Sequence, residues 1–307
     1  MNFLTFNNRF PTELACIEHF IKLRYAKGVV CPHCGATEHK IYHKSKTPKN
    51  FNCCNCNNDF SIFTNTIFYK SDTDLRKWYF AINAMINSKK GISALQLKRE
   101  IDVTYKTAWR MLKLIRSAMG NADMSKAFEA IVEIDETYVG GKPHKENRND
   151  DDNNPPKPPL KRGRGTSKTP VVGIKERNSK RVHATVALPN SDGQTLTGKQ
   201  LFKILDTVCK DDTIVMTDDF SSYNILDRNP DKFLRLTVNH SIGQFATRNG
   251  IHTNGIESFW ALLKRGIYGI YHHISTKYLQ NYVNEFCFRA NNKNNAFNAL
   301  LTNCVFI

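Results

Sequence analysis

The sequence predicts an α/β protein: a mixed-sheet core in the second half, preceded by a small cysteine-rich module and a small helical one. Three observations carry this. Apolar runs ending in acids alternate with amphipathic helical stretches after residue 128, two Cys-x-x-Cys pairs fall within residues 31–56, and residues 72–120 show only helical periodicity. At 307 residues the chain is long enough for two or three modules. Forty-four Lys and Arg against 28 Asp and Glu leave a net charge of +16, so a polyanionic partner is expected. Residues 1–125 hold 19 of those bases and 9 of the acids, which places +10 of the charge in the first part.

No apolar run reaches about eighteen residues, and the start MNFLTFNNRFPTELA lacks the basic-then-apolar order of a secretory signal. The expectation is a soluble, cytoplasmic protein. In that reducing setting nine cysteines, an odd number, argue against a disulfide framework.

Residues 1–68 form the expected first module. Thr12 to Lys27 carries Leu14, Ala15, Ile17, Phe20, Ile21 and Leu23 at helical spacing, a helix that braces the cysteine-rich segment behind it. Cys31 and Cys34 are separated from Cys53 and Cys56 by eighteen residues, the spacing of a four-thiolate zinc site. Each pair caps a tight turn and offers two thiolates to one tetrahedral ion, with turn chemistry at the first knuckle from Pro32 and Gly35. Four thiolates leave no open position, so the zinc is structural. Cys54 fits neither pair and reads as a bystander.

Residues 72–120 form the second module. Helices are expected over Asp74–Asn87, Ser93–Glu100 and Thr104–Met119, with a short break at Ile101 to Val103 as in a helix-turn-helix. Thr104 is the expected N-cap of the third. Its Ala108, Met111, Leu112, Ile115 and Met119 share one face, and Lys106, Arg110 and Lys113 project from the other. Such a stripe alone reads as a solvated face; beside a zinc module in a basic region it reads as a surface for DNA.

Residues 128–307 form the expected core. AIVEIDETYVGG reads as a strand ending at Asp135 before a Gly-Gly turn. VVGIKERNSKRVHATVAL alternates about a turn at Arg177 to Lys180, a hairpin signature. A helix from about Leu196 to Cys209 leads to TIVMTDDF, a strand ending in Asp218 and Asp219; FLRLTV is a further strand, and IESFWALLKRG lies on a late helix. Between Lys142 and Pro170 an acidic, Asn-rich run gives way to a Pro-rich basic one, a disordered composition whose basic half could meet DNA backbone.

Asp135 and Asp218 would end neighbouring strands, with Glu257 on a helix packed across them. Converging carboxylates repel and resist burial unless cations neutralise them. Two hard ions such as Mg²⁺ (or Mn²⁺), about 4 Å apart, suit such a set and support in-line phosphoryl transfer. Lys264 lies two helical turns after Glu257 on the same face, placed for a neighbouring phosphate, with Arg265 beside it; Asn254 precedes Glu257 by one turn. His240, His252, His272 and His273 lack paired spacing and read as hydrogen-bonding or phosphate-contacting residues. Phe259 and Trp260 read as core.

IDETYVGG, TDDFSSY, HTNGIESFWALLKRG, YHHIS and the late EFCFRANNK, preceded by the CPHC and CCNC knuckles, resemble together the ISXO-like bacterial insertion-sequence transposases, relatives of the eukaryotic Merlin elements. The resemblance runs from about Pro11 to Asn292. It implies a zinc ribbon ahead of a ribonuclease H-like DDE core, with Asp135, Asp218 and Glu257 as the metal-binding triad and Lys264 as its associated basic residue. The family's Thr-Asp pattern at Thr217 selects Asp218 over Asp219. Many members carry Asn in place of the final acid, whereas position 257 here is Glu. The implied activity is Mg²⁺-dependent cleavage and joining of double-stranded DNA at terminal inverted repeats, by a homodimer or larger assembly. The competing expectations are a zinc-ribbon DNA-binding regulator without catalysis and a ribonuclease H-like nuclease that cuts without joining.

Overall fold

Asn2 and Thr12 each turn a side-chain oxygen toward a backbone N–H three residues on, and helices start behind them: α1 (Phe3–Arg9) and α2 (Glu13–Arg24). The structure is a computed structural model describing residues 1–44, 49–120, 127–140, 166, 168–239, 246 and 250–306. It divides into two units, Met1–Asp123 with Asn292–Ile307, and Met124–Asn291. Among the described residues no helix is long and apolar enough to cross a membrane.

In the first unit α2 is the expected bracing helix, three residues shorter at its end. Ile17 and Phe20 are buried, but Leu14 is 53% exposed. After it, β1 (Ile41–His43), β2 (Asn50–Cys53) and β3 (Asn58–Ser61) form an antiparallel sheet in that order. Phe51 and Phe60 face each other across β2 and β3 with ring centroids 5.4 Å apart. This is a small apolar core, consistent with a segment that folds largely on its metal.

The three helices of the second expected module are present as α3 (Leu75–Asn87), α4 (Ala94–Ile101) and α5 (Tyr105–Gly120). The hydroxyl of Ser93 accepts the Gln96 N–H and that of Thr104 accepts the Thr107 N–H, each a helix cap. Ala108, Met111, Leu112, Ile115 and Met119 are all buried.

Residues 128–307 were expected as one body, and here the fold differs. The last helix, α10 (Ala296–Val305), belongs to the first unit, where it packs on α3 and α5. Phe297 lies against Phe10 and Tyr79, and the Ile67 N–H donates to the Cys304 carbonyl. The cause is the composition of α10: Phe297, Leu300, Leu301, Cys304 and Val305 are apolar enough to need a core, and that of the first unit takes them. The helical module is therefore not separate from residues 1–68; one compact unit holds both.

The second unit is a five-stranded mixed sheet. Its strands are β4 (Ile131–Val139), β5 (Thr169–Glu176), β6 (Val182–Val186), β7 (Thr213–Thr217) and β8 (Phe233–Thr237), ordered β6-β5-β4-β7-β8. The first three pair antiparallel and β4, β7 and β8 run parallel, the ribonuclease H-like arrangement that the resemblance implies. Helix α6 (Gly198–Val208), started by a reciprocal Thr197–Gln200 cap, and the short α7 (Asn224–Asp227) follow β6 and β7. After β8 come α8 (Asn254–Gly266) and α9 (Thr276–Asn291). Two cores flank the sheet. Val132, Ile134, Val172, Ile174, Leu201, Leu205 and Val215 pack in one. Val139, Val171, Ile256, Trp260, Leu263, Val283 and Phe286 pack in the other.

The Arg177–Lys180 turn stands where expected, but β4 does not stop at Asp135. It runs on to Val139 because β5 pairs with it as far as Val139 and Thr169. Most of the expected disordered stretch, 142–170, lies outside the described residues; its last two positions, Thr169 and Pro170, already belong to β5.

Candidate carboxylate site and cysteine cluster

Two residue groups with the chemistry of metal ligands can be built from these elements, one in each unit. In the first, the β2–β3 turn and the loop after α2 bring Cys31, Cys34, Cys53 and Cys56 together, with all four sulfurs within 4.8 Å of one another. Cys31 Sγ is 3.7 Å from Cys56 Sγ, and Cys34 Sγ is 3.6 Å from Cys53 Sγ. A tetrahedron with Zn–S bonds of about 2.3 Å has edges of about 3.8 Å. The residue after each pair takes the same left-handed backbone, Gly35 at φ 74° and Asn57 at φ 54°, two residue types that tolerate it. Hydrogen bonds from the Ala36 N–H and the Asn55 amide pull the Cys34 thiol down to about 6, so it is ready as a thiolate. Cys54 is exposed and outside the cluster, its sulfur turned to Asn52.

In the second unit β4 supplies Asp135, β7 leads into Asp218 and α8 carries Glu257. The β4–β7 register pairs Glu133 with Met216; carried two residues on, it sets Asp135 level with Asp218. Burial pushes the Asp135 carboxyl up to about 7, helped by the negative charges of Glu136, Asp218 and Glu257. Asp135 Oδ2 accepts a hydrogen bond from Trp260 Nε1 at 3.0 Å. Asp218 Oδ1 accepts the Phe220 N–H at 3.0 Å, and Glu257 Oε1 accepts the Thr253 hydroxyl at 2.8 Å. Asp219 is exposed while Asp218 is half-buried. Glu257 sits in the first turn of α8, where the helix dipole favours a carboxylate. Among the described residues only the four cysteines form a set of three or more side chains close enough to hold one metal ion. Ligands shared between two ions about 4 Å apart spread more widely than those of one ion.

Lys264 is half-buried on α8, two turns from Glu257, and Arg265 is exposed with its Nε on the Ala261 carbonyl. In the first unit Lys106 and Arg110 are exposed on α5 and Lys113 is half-buried. Arg110 Nη2 reaches the Tyr69 carbonyl at 3.3 Å, and Lys113 Nζ lies 5.5 Å from the centre of the Trp109 ring. Asn254 is exposed on the first turn of α8; His272 and His273 are exposed, and His240 lies outside the described residues. His252 Nδ1 is 3.3 Å from Glu133 Oε1, a contact with a carboxylate.

Two features of the site carry no signal in the sequence. Phe259 and Trp260 are core, as expected, but the Trp260 indole also orients Asp135. It can do so because position 173, directly across from Asp135, is glycine: a Cβ there would lie 2.5 Å from Trp260 Cζ2. The other is Glu136, which follows Asp135 on β4 and accepts the hydroxyl of Tyr223 at 3.1 Å. Burial and then the charges of Glu136, Asp135 and Asp218 raise that phenol well above its ordinary range.

Residues 128–291 match the family described as the ISXO2-like transposase domain, and residues 11–59 match the transposase zinc-ribbon domain. Over 260 residues the chain is 30% identical to an uncharacterized protein in transposable element ISH50 of Halobacterium salinarum, covering 83% of each. It is 35% identical over 108 residues to an uncharacterized transposase-like protein of Haemophilus influenzae, covering 35% of this chain and 80% of that one. Among solved structures, the Mos1 transposase paired-end complex with left transposon end is 12% identical with a TM-score of 0.29, covering 69% of this chain and 74% of that one. That structural likeness is too slight to argue from.

Proposed function

The chain belongs to the ISXO2-like transposase family, with a transposase zinc-ribbon domain ahead of the transposase domain, and on that premise we propose that it cuts and rejoins DNA at the ends of an insertion sequence. The substrate is double-stranded DNA: the terminal inverted repeats of the element and a target duplex. What supports the reading most is the crowding at Asp135, a half-buried carboxyl raised by its burial, by the charge of its neighbour Glu136 and by those of Asp218 and Glu257 from distant segments.

Asp135, Asp218 and Glu257 would hold Mg²⁺ or Mn²⁺; all their donors are hard oxygens, the set these ions prefer. Bound there, a pair of such ions supplies an activated hydroxyl and stabilisation of the departing oxygen in an in-line displacement. The chain's own residues do the positioning. Trp260 fixes the Asp135 carboxylate, the Phe220 N–H fixes that of Asp218, and Thr253 fixes Glu257. Lys264 and Arg265 are placed to meet phosphates flanking the reacting one. One such site serves both steps, hydrolysis at the element end and attack of the freed 3′ hydroxyl on target DNA, because each is a phosphoryl transfer.

The four thiolates hold a structural Zn²⁺, and Lys106, Arg110 and Lys113 bring α5 to the DNA backbone. Two ends handled together call for a homodimer or a larger assembly, acting at the nucleoid in the cytoplasm. The test is to incubate the purified chain with labelled terminal-repeat duplex, target DNA and Mg²⁺. The expected result is label joined covalently to target strands. Cleaved ends that are never joined indicate a nuclease instead, and binding without cleavage indicates a regulator.

A further inference from the structure

Glu133 precedes Asp135 by two residues on the same face of β4 and is 2% exposed. A carboxylate so deep is costly unless it is paired and fully hydrogen-bonded. Glu133 Oε1 accepts from Arg177 Nε at 3.0 Å, and Oε2 accepts the backbone N–H of Ile256 at 2.9 Å. Arg177 spends its other two nitrogens on the carbonyls of Gly250 and His252, at 2.7 and 2.8 Å. Lys175 Nζ adds a bond to the Gly255 carbonyl at 2.9 Å. Every one of these backbone groups lies in the approach to α8 or in its first turn, the turn that carries Glu257.

That turn needs an outside partner. The first N–H groups of a helix have no partner within it. Thr253 stands at the N-cap position, but its hydroxyl is given to Glu257 and caps no amide. The carboxylate of Glu133 fills the gap from the neighbouring strand, with a charge that suits the positive end of the helix. Its approach requires Gly255, since a Cβ there would lie 2.6 Å from Glu133 Oε2.

We infer that Glu133 and Arg177 form a positioning clamp, in which an acid on the strand of Asp135 caps the helix of Glu257 and so sets the spacing of those two carboxylates. Neither clamp residue touches the reacting atoms; both act through the start of α8. The inference rests on the reading of Asp135 and Glu257 as ligands of divalent ions. Residues that orient metal ligands commonly change metal affinity by about 10–100-fold when altered.

The test uses the full chain with Glu133→Gln, Arg177→Lys and Asp135→Asn beside the parent. Mn²⁺ affinity is read by electron paramagnetic resonance, and amide exchange over residues 254–257 by mass spectrometry. Glu133→Gln is expected to weaken Mn²⁺ binding about tenfold or more and to speed exchange at Ile256. Arg177→Lys, which keeps the charge but loses the fork, is expected to do the same to a smaller degree. If Asp135→Asn abolishes Mn²⁺ binding while both clamp variants bind like the parent, the clamp is wrong and the ligand reading stands. If Asp135→Asn also binds like the parent, the ligand reading fails and the positioning role falls with it.

Discussion

Replacing Asp135, Asp218 or Glu257 by its amide is expected to lower Mg²⁺-dependent cleavage of terminal-repeat DNA by about a thousandfold or more, with DNA binding retained. An amide neither neutralises a divalent ion nor offers two equivalent anionic oxygens, and a thousandfold corresponds to about 4 kcal/mol of transition-state stabilisation. Misfolding would not explain the loss at Asp135. The folded chain holds its proton up to about 7, above the unfolded value. The group therefore favours folding at low pH, and that contribution is lost as pH rises through 7. The amide suffers no such loss, so Asp135→Asn should melt no lower than the parent at pH 8. Single-turnover cleavage and a thermal melt on the same preparation check both halves of the expectation. A cleavage rate within tenfold of the parent would remove Asp135 from the site.

Replacing Cys31 and Cys34 together by Ser is expected to abolish zinc retention and recognition of the element ends. The sheet of β1, β2 and β3 buries little besides Phe51, Cys53 and Phe60. Binding of a structural zinc contributes on the order of 10 kcal/mol or more, which exceeds what so few apolar residues supply. Metal content by inductively coupled plasma mass spectrometry should fall by one Zn²⁺ per chain, and specific DNA binding should disappear with it. Full end recognition by a zinc-free double variant would mean that the ribbon has no part in it.

What the sequence disclosed and what it withheld have physical causes. The knuckles, α3, α4, α5 and the β5–β6 hairpin could be read because spacing, caps and periodicity are local signals. Cys31 to Cys56 and Thr104 at the head of α5 are examples. The continuation of β4 beyond Asp135 could not, because it depends on pairing with Thr169 and Pro170 on a strand 30 residues away. The home of α10 is a similar case. An apolar helix at the end of the chain says that it needs a core, but not which of the two units supplies it. At the carboxylate site the charged members stood out in the motifs. Their supports did not: Glu133 reads as one more residue of an apolar strand, Gly173 as a weak strand former and Arg177 as a turn residue. Only the fold brings Glu133 to Arg177 and Gly173 to Trp260.

The central claim is that Asp135, Asp218 and Glu257 hold divalent ions in common. Diffraction from crystals of the chain bound to its DNA ends in Mn²⁺, recorded at the manganese edge and at pH 8 where Asp135 is ionised, measures this directly. Two anomalous peaks about 4 Å apart are expected, bounded by oxygens of those three residues. Manganese bound elsewhere, with no peak among the three carboxylates, would contradict the claim.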